Sequence, residues 1–143
     1  MFKKIVFMGT PNFSVPIMKS LYQNEYPICA VYTQPPKKSM RGKKINKSPI
    51  QKLAENFNLN IRNPNFLNQN EEELKYFKSL NADIVIVVAY GQVIPKEFLS
   101  LSKHGFINIH ASLLPKWRSA APIQRAIMNL DEVTGIKIGR AHV

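Results

Sequence analysis

The stretch DIVIVVA at residues 83–89 decides the fold class of this 143-residue chain. Its five central residues, Ile84–Val88, are all β-branched, which favours an extended backbone, and an unbroken apolar run suits a strand covered on both faces. Residues 2–8, FKKIVFM, are also rich in Ile, Val and Phe, and the apolar run at their end stops at Gly9. A buried parallel sheet is therefore predicted, with residues 83–89 near its centre. Further strands are predicted at residues 28–33, 59–62 and 105–110, and one more begins within residues 134–138.

Helical patterns lie between these strands. Thr10-Pro11 and Ser48-Pro49 each supply a capping hydroxyl followed by the residue favoured at a first helical position. The prolines that follow Gln34 break regular structure, so the segment up to Lys47 is predicted to be a loop. Strands that alternate with helices predict one α/β domain with a doubly wound, mostly parallel, Rossmann-like sheet. The predicted helices cover residues 11–24, 49–57, 71–80 and 120–130.

The chain is strongly basic, with 20 Lys and Arg against 9 Asp and Glu and a formal charge of +11. Such a charge favours an anionic partner, and nucleic acid is the first candidate. Codon bias of an AT-rich genome also explains many lysines, and both explanations stay open. No apolar run approaches the ~18 residues of a membrane span, so we expect no membrane partner. A single cysteine, Cys29, cannot build a disulfide framework, which makes a reducing cytoplasm the expected compartment.

The candidate chemistry lies at the end of the strand at residues 105–110. Asn108 and His110 are two residues apart, so on a strand their side chains point to the same face. In open parallel sheets the ligand site lies outside the carboxyl ends of the strands. An amide can hold a developing oxyanion and an imidazole can exchange a proton near neutral pH, so we predict a catalytic pair. Pro11 and Ser14 occupy glycine positions of a GxGxxG pattern, which argues against dinucleotide binding.

Longer motifs surround this pair. They are NIHASLLP at residues 108–115, KWR at 116–118, AAPIQR at 120–125, GTPNF at 9–13, TQP at 33–35, RGKK at 41–44 with SP at 48–49, and VAYG at 88–91. In this order they resemble the formyltetrahydrofolate-dependent transferases, and within that family the methionyl-tRNA formyltransferases. The resemblance runs from the first strand to about Lys137.

The resemblance implies a function and a role for individual residues. Asn108 and His110 would polarise the formyl carbonyl of 10-formyltetrahydrofolate while the α-amino group of methionyl-initiator tRNA attacks it. No metal is implied, and a monomer is expected. The basic loop, with no acid from Lys37 to Lys52, would enter the acceptor end of the tRNA. The residues implied to bind the folate are Ser112, Leu113, Leu114, Pro115, Tyr90 and Gly91, and those implied to bind tRNA are Arg41, Lys43 and Lys44.

The last residues depart from the family pattern. The resemblance implies a catalytic aspartate and a C-terminal tRNA-binding domain beyond the matched motifs, neither of which this chain contains. Residues 138–143, IGRAHV, match nothing in the family and fit a translated sequencing adapter. We therefore predict an incomplete, truncated formyltransferase domain at residues 1–137, a non-native tail at 138–143, and an inactive fragment. Two alternatives are another folate-dependent formyltransferase or hydrolase, such as a glycinamide ribonucleotide formyltransferase, and a non-catalytic RNA-binding α/β module.

Overall fold

The computed structural model describes residues 1–39, 41–42 and 44–141. Its strands are β1 Ile5–Gly9, β2 Ile28–Tyr32, β3 Lys37–Lys38, β4 Ile45–Asn46, β5 Ile61–Arg62, β6 Ile84–Val88, β7 Phe106–His110 and β8 Lys137–Arg140. Its α-helices are α1 Val15–Gln23, α2 Pro49–Asn56, α3 Glu71–Leu80, α4 Lys96–Leu99 and α5 Pro122–Met128, and a 3-10 helix spans Asn12–Ser14.

Six strands form one sheet in the order β5-β2-β1-β6-β7-β8. All neighbouring pairs are parallel except β7 and β8, which are antiparallel. The chain therefore builds one half of the sheet outward from β1 and the other half outward from β6, so the strand order reverses between these two central strands. This doubly wound, mostly parallel sheet confirms the predicted fold class.

The sheet has an apolar layer on each face. Val6 and Met8 of β1 pack on one face with Phe77 of α3 and Phe98 of α4. Phe7, between them in sequence, points to the other face, where it meets a cluster formed by α1 and α2. The strands are thus covered on both sides, which is why they read as continuous apolar runs rather than alternating ones.

Ser48 caps α2 as predicted, since its hydroxyl accepts a hydrogen bond from the Gln51 backbone N–H. Three other local predictions need correction, and one helix was not predicted. Thr10 does not cap a helix, because the 3-10 helix Asn12–Ser14 intervenes and α1 begins only at Val15. The loop to Lys47 contains the short hairpin β3-β4, and α4 was not predicted. The last strand begins at Lys137, later than expected, and runs antiparallel.

A buried ion pair joins the β5 edge of the sheet to α3. The Glu73 carboxylate, in a residue only 6% exposed, accepts hydrogen bonds from Arg62 at 2.9 and 2.6 Å and from the Tyr32 hydroxyl at 2.7 Å. Burial alone would raise the pKa of Glu73, but the bonds from Arg62 and then Tyr32 lower it below its usual value. The network stabilises this edge in the charged form of Glu73.

Exchange of Glu73 for alanine is expected to lower the free energy of unfolding by about 2–3 kcal/mol at neutral pH, because Arg62 and the Tyr32 hydroxyl lose their acceptor. Since the folded-state pKa is lowered, the contribution is complete above the unfolded value of ~4.3 and is lost as pH falls through the folded value. Urea unfolding at pH 7 and at about pH 3 should therefore show a difference between wild type and variant that shrinks in acid.

Glu55 provides the matched control for this experiment. Its carboxylate pairs with Lys47 at 2.8 Å, but both side chains are largely exposed, so Glu55→Ala should change stability little. An equal loss in the two variants, or a Glu73→Ala effect independent of pH, would rule out the buried pair as the cause.

Candidate active site

A cavity of about 700 Å³ opens at the carboxyl ends of β1, β6 and β7. This is the edge at which a doubly wound sheet binds its ligands, next to the reversal of strand order. Both Asn108 and His110 line the cavity, as do Tyr90 and Gly91 from the segment after β6. The structure thus brings the predicted catalytic pair into one open site.

The end of β1 is held close to the end of β6. A Cβ atom added to Gly9 would lie 2.9 Å from the Val88 carbonyl oxygen and 2.8 Å from the Phe7 ring, so only glycine fits this crossing. The Ser14 hydroxyl, fully buried, donates to the same Val88 carbonyl at 2.5 Å. The hydroxyl of Thr10 donates to the Tyr90 carbonyl at 2.7 Å. These contacts fix the backbone that forms the floor of the site.

The segment after β6 turns sharply. Ala89 and Gly91 adopt positive φ values of 50° and 89°, and the left-handed region is costly for a residue with a Cβ atom. A Cβ atom on Gly91 would also meet the Gln34 side chain at 2.9 Å. The Tyr90 ring packs in the core cluster with Val6 and Phe77, which holds this residue in place. Burial also raises the pKa of its hydroxyl. Residues 89–92 of this turn line the cavity.

His110 is held from behind by the bend that follows β7. Its Nδ1 atom lies 2.8 Å from the Ser112 hydroxyl, which in turn donates to the Lys116 carbonyl at 2.7 Å. Ser112 is fully buried, and the Lys116 backbone N–H closes the bend by donating to the Leu113 carbonyl at 3.1 Å. The imidazole therefore has a fixed partner on one ring nitrogen.

The bend itself is not part of the cavity wall. None of the residues 112–115, predicted to bind the folate, lines the cavity; Ser112 is buried and Leu113, which is 44% exposed, lies against Gly135. The peptide between Leu114 and Pro115 is cis. The facing wall comes instead from the segment 118–124, whose residues were predicted only as part of a motif. Wall residues outside the predicted site include Phe13, Val93, Arg118, Ser119 and Ile123.

Asp131 fixes the start of this facing wall. Its carboxylate accepts hydrogen bonds from the Trp117 indole at 2.7 Å, from Asn129 at 2.7 Å and from Lys116 at 3.3 Å. These bonds, that from Trp117 foremost, hold the pKa of Asp131 below its usual value. The indole N–H of Trp117 thus ties the start of the wall to Asp131, three residues after the end of α5.

The basic loop forms the exposed hairpin β3-β4 after the carboxyl end of β2. Arg41 and Lys44, two of the predicted tRNA contacts, are exposed at its turn, and Lys43 lies outside the described residues. Lys37 and Lys38 form β3, paired with Asn46 and Ile45. Because β2 ends at the same edge of the sheet as β1 and β6, the hairpin emerges on the cavity side of the molecule.

Two kinds of feature are absent from the described residues, a metal-binding cluster and a membrane-spanning helix. No group of three His, Cys, Asp or Glu side chains with metal-binding geometry occurs in this part of the chain. No helix in residues 1–39, 41–42 and 44–141 has the length and apolar character needed to cross a bilayer.

Comparison with known proteins places the chain in a family. The sequence model of the formyl transferase family matches residues 3–143, and the chain belongs to this family, as the motifs predicted. A protein named methionyl-tRNA formyltransferase from Pelagibacter ubique is 70% identical over 138 residues, which are 96% of this chain and 44% of the relative. A protein of the same name from Jannaschia sp. is 50% identical over 135 residues, 94% of this chain and 44% of the relative. The chain spans about 44% of the length of these relatives.

Solved structures share the fold at low sequence identity. A phosphoribosylglycinamide formyltransferase from Bacillus halodurans matches with a TM-score of 0.74 and 17% identity over 98% of this chain and 72% of its own. A formyltetrahydrofolate deformylase from Pseudomonas syringae matches with a TM-score of 0.73 and 16% identity, over 99% of this chain and 47% of its own. At these identities the two structures establish the fold alone.

Proposed function

We propose that this domain transfers the formyl group of 10-formyltetrahydrofolate to the α-amino group of methionyl-initiator tRNA. The observation that carries the proposal is the joint placement of Asn108 and His110 in one open cavity at the carboxyl edge of the sheet. The 70% identity to a relative named for this reaction supports the choice of substrate. A non-catalytic module would have no need of a catalytic pair in an open cavity.

The cavity fits a folate in size and in the character of its walls. A volume of about 700 Å³ lies within the ~300–1,000 Å³ range of small-molecule sites. Residues 89–92 line the cavity, and their backbone N–H and C=O groups, apart from the Tyr90 carbonyl held by Thr10, would bind the polar edge of a pterin. Phe13, Val93 and Ile123 supply apolar contact for its ring. The 10-formyl group would then lie toward Asn108 and His110, the polar side of the site.

The two side chains divide the work of transfer. The amine nitrogen attacks the formyl carbon, and the carbonyl oxygen gains negative charge, which the Asn108 amide N–H stabilises by hydrogen bonding. His110 accepts the proton released by the amine through its free ring nitrogen. The bond from the formyl carbon to N10 of the folate then breaks, and N10 takes up a proton. The products are tetrahydrofolate and formyl-methionyl-tRNA.

The hairpin β3-β4 is the proposed tRNA contact, because it is basic, exposed and on the cavity side. Each lysine or arginine that neutralises a phosphate contributes about one unit to the slope of log K against log salt. The double substitution Arg41→Ala and Lys44→Ala should therefore weaken tRNA binding and reduce the slope by about two units. Fluorescence anisotropy with labelled initiator tRNA across a salt series measures both quantities.

Lys78 is the control for the hairpin. It is exposed in the last turn of α3, which leads to the amino end of β6 and so to the opposite edge of the sheet. Lys78→Ala should leave the slope unchanged. A slope that is equal in wild type and the double variant would remove the hairpin from the tRNA interface.

The experiment that tests the proposed function uses a chimera. In it, residues 1–137 of this chain, the proposed native domain, replace the matched segment of the Pelagibacter ubique relative. We expect the chimera to form formyl-methionyl-tRNA from 10-formyltetrahydrofolate and charged initiator tRNA. A folded chimera that binds folate but transfers no formyl group would refute the proposal.

A further inference from the structure

We propose that Ser112 is a positioning residue that fixes the tautomer of His110, with the proton on Nδ1 and the lone pair on Nε2. The hydrogen bonds belong to the folded chain alone, and only their consequence for catalysis rests on the proposed function.

The tautomer follows from counting protons. A serine hydroxyl has one proton to donate, and the Ser112 proton goes to the Lys116 carbonyl oxygen at 2.7 Å, which can only accept. In the other contact of this hydroxyl, at 2.8 Å from Nδ1 of His110, the Ser112 oxygen must therefore accept the hydrogen bond and Nδ1 must donate it. Nδ1 therefore carries the proton, and in the neutral ring Nε2 keeps its lone pair.

The Lys116 carbonyl, which accepts the Ser112 proton, lies in a segment whose backbone is held in place. The Lys116 carbonyl belongs to a bend closed by the Lys116 N–H bond to Leu113, and the next residue, Trp117, is tied to Asp131 at 2.7 Å. Ser112 is 0% exposed, so solvent does not compete for its hydroxyl. The two hydrogen bonds that link Lys116, Ser112 and His110 thus join groups whose positions are fixed by the bend.

The tautomer decides whether His110 can act as a base. A proton acceptor needs a lone pair on the nitrogen that is free of structural bonds, which here is Nε2. If the hydroxyl is removed, the proton can occupy either nitrogen, and molecules with the proton on Nε2 cannot accept another from the amine. In serine proteases a carboxylate fixes the tautomer of the catalytic histidine. A buried hydroxyl whose proton is already donated to another acceptor can fix the tautomer in the same way.

The first test reads the tautomer directly. The 143-residue chain labelled with ¹⁵N-histidine contains three imidazoles, and comparison with His110→Gln assigns the one of interest. In the neutral form of the ring, Nδ1 of wild-type His110 should show the chemical shift of a protonated nitrogen and Nε2 that of an unprotonated one. In Ser112→Ala this pattern should be lost in favour of an average or of the opposite tautomer.

Ser14 gives a matched control for this test. It is also a fully buried serine whose hydroxyl donates to a backbone carbonyl, that of Val88. Ser14→Ala should lower the Tm as Ser112→Ala does, yet leave the His110 pattern unchanged. A wild-type ring with its proton on Nε2 would overturn the proposal even if Ser112→Ala failed to fold, as would an unchanged pattern in Ser112→Ala.

The second test measures the consequence in the active chimera. Ser112→Ala should reduce kcat about 10-fold or more, in line with the loss of groups that orient catalytic imidazoles, with KM for the folate nearly unchanged. An unchanged kcat would defeat the positioning role while leaving formyl transfer intact. A chimera inactive with Ser112 in place would count against the proposed function alone, since the ¹⁵N pattern does not depend on turnover.

Discussion

Exchange of His110 for alanine in the chimera is expected to lower kcat for formyl transfer by at least ~10²-fold, and by up to ~10⁴-fold. The amine must lose a proton as it attacks, and His110 is the one histidine among the described residues that line the cavity. Quantification of formyl-methionyl-tRNA under saturating substrates measures the effect on kcat. Within the part of the chain that the structure describes, the ring makes a side-chain hydrogen bond only to Ser112, so the fold should tolerate the change.

His104 serves as the control for His110. It is exposed before β7 and packs edge-on against Phe2, away from the cavity walls. His104→Ala should therefore retain the activity of the chimera. Equal activity of the His110→Ala and parent chimeras would mean that the imidazole does not take part in proton transfer.

Exchange of Asn108 for alanine should lower kcat by ~10²–10³-fold, the range found when one oxyanion donor is removed. Its amide is half-buried on β7, between β6 and β8, where the sheet fixes the backbone that carries it. The hydrogen bond to the carbonyl oxygen strengthens only as negative charge develops, so KM for the folate should change much less than kcat. Steady-state kinetics that vary the folate concentration separate the two.

A different outcome would assign Asn108 another role. A raised KM with unchanged kcat would show that the amide binds the ground state of the folate instead of the transition state. Asn24→Ala is the control, because this exposed amide bonds only within α1 and its cap.

Much of the sheet could be predicted from local sequence, because β-branched apolar runs have few alternatives to a buried strand. Ile84–Val88 forms β6, as predicted, and the paired position of Asn108 and His110 follows from the two-residue period of β7. The proline after Ser48 marks the start of α2 correctly. These features depend on neighbours within a few residues.

The features that were missed depend on partners far along the chain. The hydroxyl of Thr10 looks like a helix cap, but in the fold it bonds Tyr90, 80 residues away. The direction of β8 is set by its pairing with β7, which no local pattern encodes. The burial of Ser112 and its bond to the Lys116 carbonyl likewise appear only when the bend after β7 closes, and its contact with the folate stays a prediction.

Asn108 and His110 are proposed to act on one formyl group held in the cavity between β1, β6 and β7. A crystal structure of the chimera with bound 10-formyltetrahydrofolate is the sharpest test of this placement. The pterin is expected against residues 89–92, and the formyl oxygen within about 3 Å of the Asn108 amide nitrogen, on the side of His110 Nε2. Folate bound outside this cavity, or a formyl group out of reach of both side chains, would contradict it.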